Sequence, residues 1–99
     1  MIVAKLHKRG NDLLLAACDE ELLGKTLNHS NGAEIFINPS FYKGDKMDKE
    51  EFIKNLKDAT IINLFGKETV KIAVDANELS EDGAIIIAGV PHAQIVRML

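Results

Sequence analysis

The sequence has little of what small proteins use for conspicuous chemistry. It contains one cysteine, Cys18, so no internal disulfide can form, a pattern that fits a reducing cytoplasm. It has no tryptophan and few aromatics, which argues against a stacking platform for single-stranded nucleic acid. Positive charge is also scarce: 12 Lys and Arg stand against 15 Asp and Glu, a formal charge of −3. Binding through phosphates needs clustered cations. The one basic spot, His7-Lys8-Arg9, is too short for a nucleic-acid footprint. No apolar run reaches membrane-spanning length. The amino terminus alternates apolar and polar residues instead of placing charge before an apolar stretch, so no signal peptide is expected. Gly-rich phosphate loops, paired-Cys motifs, His-Glu-x-x-His and Gly-x-Ser-x-Gly are all missing.

What is present specifies an ordinary folded domain. Of 99 residues, 46% are apolar and 27% charged, enough to build one core and too apolar for disorder. Residues 1–99 therefore read as a single domain. Ile2 to His7 alternate as a half-buried strand, Arg9-Gly10-Asn11-Asp12 turns, and Leu13 to Ala17 read as a second strand, giving an N-terminal hairpin. Asp19, followed by Glu20 and Glu21, reads as the N-cap of a short helix ending near Asn28. Glu34 to Asn38 read as a strand closed by Pro39, and Phe41 to Asp45 as a loop. Asp48 and Glu51 form a capping box for a helix through Asp58, with Met47 and Phe52 spaced as a hydrophobic staple.

Thr60 to Phe65 read as a strand, and Lys67 to Leu79 fit either period but lean to helix after Gly66. Ala84 to Ala88, the most apolar run, predict a buried strand. After a Gly-Val-Pro turn, alternation from Ala93 to Met98 suggests a last strand. The strand–helix–strand unit from Thr60 to Ala88 predicts a right-handed crossover joining parallel strands. The expected fold is α+β: a mixed sheet with an N-terminal hairpin and two to three helices packed on it.

Several residues could carry chemistry. Cys18 precedes an expected helix start, where a thiol can become nucleophilic. The flanking Asp19, Glu20 and Glu21 disfavour the thiolate, so a small core residue is the stronger reading. His92 follows Pro91 and is spaced to point the same way as Gln94; together they could hold a polar ligand, or His92 could serve as general base. A structural corner, with both side chains satisfying nearby backbone, competes evenly. Asn63 interrupts an apolar strand and either bridges strands or faces a pocket. Phe41 and Tyr42 could rim a binding surface, although aromatics beside a strand are more often core. Asp19 with Glu20 and Glu21 could draw a cation, but a solvated helix start is the better reading. His7 and His29 are weaker candidates. No metal site or cofactor is expected.

Five stretches together resemble a known family: His7-Lys8-Arg9-Gly10, Cys18 to Lys25, Phe41-Tyr42-x-Gly44, Ala59-Thr60-Ile61-Ile62-Asn63-Leu64-x-Gly66, and Gly89 to Gln94. In this order and over nearly the whole chain, they resemble the mostly archaeal proteins grouped as domain of unknown function 424. The resemblance implies an archaeal, cytoplasmic setting and a link to translation or other RNA-handling machinery. It carries no catalytic assignment. The expected function is a binding module or accessory factor that contacts a protein or ribonucleoprotein partner. The alternative is a small enzyme with Cys18 as nucleophile and His92 as base. Open strand edges would also allow self-association. Neither membrane nor strong direct nucleic-acid binding is expected.

Overall fold

In the computed structural model, residues 2–44 and 46–97 are described. The chain runs β1 (Ile2–Arg9), β2 (Asp12–Asp19), a 3₁₀ turn (Glu20–Leu22), β3 (Thr26–Asn28), β4 (Glu34–Phe36), α1 (Pro39–Tyr42) and α2 (Lys49–Asp58). It continues through β5 (Ile61–Phe65), α3 (Lys67–Asp75), a second 3₁₀ turn (Glu81–Gly83), β6 (Ile85–Ile87) and β7 (Val90–Val96). Five strands form one sheet in the order β1-β2-β5-β7-β6, and β3-β4 form a separate ribbon. Only β2 and β5 pair in parallel; the other neighbours in the five-stranded sheet are antiparallel. The fold is α+β with a mixed sheet, as the sequence predicts.

The sheet separates two apolar layers. On one face, α2 and α3 cover Ala4, Leu15, Ile62, Leu64 and Ala93, with Phe52 and Leu56 filling the centre. The capping box of α2 is present: Asp48 accepts from the Glu51 amide at 2.8 Å. On the other face, the first 3₁₀ turn, the β3–β4 ribbon and α1 lie over the β1–β2 half, burying Val3, Ala16, Cys18, Leu22, Ile37 and Tyr42. The two layers follow from strand alternation, since each strand sends successive side chains to opposite faces.

Four local expectations are corrected. The helix expected from Asp19 to Asn28 is a single 3₁₀ turn followed by β3. The Asp19 carboxylate turns away from that segment and caps a different helix, so nothing holds a longer one. The segment beginning at Pro39 is a turn of helix rather than a loop; Pro39 sits in its first turn and Asn38 accepts from the Ser40 amide. Asp45, the end of the expected loop, lies outside the described residues.

The run Ala84 to Ala88 is a three-residue edge strand rather than a buried one. Ile85 and Ile86 are 56% and 60% exposed, and only Ile87 is buried. Finally, the turn precedes Val90: Ala88 (φ 51°) and Gly89 (φ 79°) form the two-residue bend, with Ile87 paired to Val90. Positive φ at both central positions is the type I′ signature of tight hairpins. Pro91, His92 and Gln94 therefore lie within β7, not at a corner. Met98, expected in the last strand, lies outside the described residues. The crossover through α3 does join strands of the same direction, but β7 is inserted between β5 and β6.

Candidate binding face

The register brings most of the sequence-selected residues to one face. Across the sheet, Val3, Cys18, Phe65, His92 and Ile85 form one row, and Lys5, Ala16, Asn63 and Gln94 the next. Directly paired residues share a face. Cys18, Asn63, His92 and Gln94 thus all sit on the face opposite α2 and α3.

Sharing a face does not unite Cys18 with His92. Phe65 stands between them, so they are two strand spacings apart, about 10 Å. Cys18 has no exposed surface, and its pKa is pushed up to about 12, first by burial and then by Asp19 and Glu21. Burial also lowers the His92 pKa, opposed by a bond to the Leu64 carbonyl. Nδ1 lies 2.8 Å from that carbonyl oxygen, so it must carry the proton and donate. The ring is stacked on Phe65 at 3.9 Å. Cys18 and His92 therefore form no nucleophile–base pair.

The side chains instead form a connected chain of rings. His7 stacks on Phe41 at 4.8 Å, Phe41 meets Tyr42 edge-on at 5.0 Å, and Tyr42 meets Phe65 edge-on at 6.1 Å. Phe65 then stacks on His92. Five rings thus cross from β1 through α1 to β7. Two hydrogen bonds lock the series: His7 Nε2 donates to the Phe41 carbonyl, and Tyr42 Oη donates to Asn63 Oδ1, both at 2.8 Å. Burial and the neighbouring Cys18 push the Tyr42 pKa up, so its hydroxyl stays a donor. The Asn63 carboxamide thereby ties β5 to α1, not one strand to another. Sequence reading missed the place of Phe65 and underrated His7. The alternation Ile61-Asn63-Phe65 was visible, but its alignment with β7 was not.

Asp19 is committed elsewhere. Its Oδ1 accepts from the Thr69 amide and hydroxyl, each at 2.8 Å, and its Oδ2 from the Glu68 amide at 3.2 Å. It thereby supplies, from β2, the anion that the N-terminus of α3 favours. Gly66 makes this approach possible: at φ 114°, a Cβ there would lie 2.2 Å from the Asp19 carboxyl carbon. The carboxyl ends of parallel strands are where open α/β sheets hold ligands; here that place is filled by the protein's own carboxylate. His29 organises its loop, accepting from the Ser30 amide through Nδ1.

Beyond α1 the face is open. Ile61, Asn63 and His92 are partly buried, while Gln94, Val96 and Ile85 are exposed, Val96 to 70%. At one end, His7, Arg9, Asp12, Leu14, Phe41 and Ile61 line a cavity of about 320 Å³. No cluster of three His, Cys, Asp or Glu side chains suited to a metal ion occurs among the described residues. No helix among them is long and apolar enough to cross a membrane.

No curated protein matches this chain. A solved structure, described as an uncharacterized conserved protein from Methanopyrus kandleri, is similar at 30% identity and a TM-score of 0.83. The match covers 99% of this chain and 94% of that one. The family model "Protein of unknown function (DUF424)" matches residues 7–98. The resemblance read from the five sequence stretches is thus met over almost the whole chain, which belongs to the DUF424 family.

Proposed function

We propose that this protein is a cytoplasmic docking module that holds a protein partner on the open half of its sheet. The observation that carries this reading is chemical. On the open face, β5, β7 and β6 present Ile61, Asn63, His92, Gln94, Val96 and Ile85, with no Asp, Glu, Lys or Arg among them. A quarter of the chain is charged, so this strip is selectively free of charge. Depletion of charge with mixed apolar and amide groups marks the centre of protein interfaces. A nucleic-acid surface would need the reverse. The lowered pKa of His92 keeps its ring neutral at neutral pH, consistent with the strip.

The partner fitted to this face presents an uncharged, largely apolar surface. The family resemblance points to translation or other RNA-handling machinery as its source, and the relative from Methanopyrus kandleri is consistent with an archaeal setting. Copurification from the native host tests this, comparing wild type with Gln94→Lys and Val96→Glu. A Lys54→Glu variant on α2 serves as control. The expected result is one stoichiometric protein that survives nuclease, is kept by the control and is lost by both face variants. Recovering the chain alone at every salt, or a partner insensitive to Gln94 and Val96, overturns the reading.

A further inference from the structure

The two edges of the five-stranded sheet differ. The β1 edge carries Lys5, Lys8 and Arg9, and the backbone at Gly44 crosses it closely: a Cβ there would lie 2.6 Å from the Ala4 carbonyl oxygen. Lysines and covering chain are the usual protections of a sheet edge. The β6 edge has neither a charge nor a proline in Ile85-Ile86-Ile87. It also exposes one isoleucine to each side of the sheet.

From this contrast we propose that β6 pairs with β6 of a second copy of the same chain, antiparallel and centred on Ile86, making one ten-stranded sheet. Local geometry supplies the register. In a two-residue hairpin the closing pair, here Ile87 and Val90, exchanges both backbone bonds, and bonded pairs then alternate. Ile85–His92 is the next bonded pair, and Ile86–Pro91 falls between them. Proline has no amide hydrogen to give there. The N–H and C=O of Ile86 therefore point outward from the sheet. Two copies related by a two-fold axis through Ile86 can exchange both bonds, as an isologous contact requires.

Charge agrees with this register. The acidic residues Glu81 and Asp82 lie in the 3₁₀ turn before β6, outside the paired segment, and Ile85-Ile86-Ile87 brings no charged side chain to it. On the helical side, Ile86 borders an open groove of about 450 Å³ between α3 and β6–β7, lined by Val70, Val74, Ala84 and Pro91. The paired Ile86 side chains would close it. Its rim carries both signs, with Lys67 and Lys71 near Asp75 and Glu81, so a two-fold copy can meet opposite charge. On the other side, the two uncharged strips become one continuous surface.

Sedimentation of the purified chain over a micromolar-to-millimolar series tests the proposal. The expected result is a mass that doubles with concentration for wild type, remains doubled for Ile86→Val at high concentration, and stays monomeric for Ile86→Lys. Amide exchange at Ile86 in the unmodified protein should slow over the same series, which keeps the test valid if Ile86→Lys does not fold. A wild-type monomer throughout, or a dimer with unchanged Ile86 exchange, overturns the proposal. Neither result depends on the docking partner, so this inference and the proposed function fail separately.

Discussion

His92 shows how one side chain can be set by its row in a sheet. Stacked on Phe65 and bonded to the Leu64 carbonyl, it is held neutral because burial penalises the imidazolium. The unfolded chain takes up the proton near the ordinary value of 6.5, whereas the folded chain does so only at lower pH. Its stabilising contribution is therefore complete above about pH 6.5 and is lost as pH falls from there toward the lower folded value. Chemical denaturation at stepped pH should show stability declining across that window, with a shallower decline in His92→Gln. An unchanged slope in the variant would contradict this account. The sequence marked His92 and Gln94 correctly as pointing the same way, because strand alternation is local. It placed them at a corner, because Pro91 read as the end of the turn when the bend is Ala88-Gly89. Alanine at φ 51° carries no advance signal of that bend.

At the scale of elements, the best-read helix is α2, whose cap, Asp48, is three residues from the amide it accepts from. Such a signal is contained in its own segment. The misread element follows Cys18, where a good capping residue, Asp19, serves α3 about 50 residues later. Replacing Asp19 by Ala would leave two amides and a hydroxyl without their acceptor, at a cost of about 2–3 kcal/mol. Gly66→Ala should be at least as damaging, since it combines a positive φ with a collision against the same carboxyl group. Thermal denaturation of both variants measures this. Wild-type melting in either would refute the remote cap. A second distant cap closes the other helix: Arg97 donates to the carbonyls of Leu56, Lys57 and Ala59 at the end of α2 and pairs with Glu78 at 2.9 Å. Neither long-range cap could be read from spacing, because each depends on strand order.

At the scale of the molecule, fold class was legible and strand order was not. Hairpins and helix periods declare themselves within a few residues, whereas placing β5 between β2 and β7 requires knowing two separate pairings. That placement has a kinetic consequence. The β1–β2 and β6–β7 hairpins can each close locally, but β5 must enter between them. The Leu13 amide reaches the Thr60 hydroxyl across 47 residues. Long closures are slow to gain their contacts. Until β5 is seated, its run of Thr60 to Phe65 is bare, and so are the facing sides of both hairpins. Asn63 breaks that run in the unfolded chain before it ever meets Tyr42. Asn63→Val should therefore raise turbidity during refolding by dilution, through off-pathway strand association; equal turbidity at equal concentration would remove this second role.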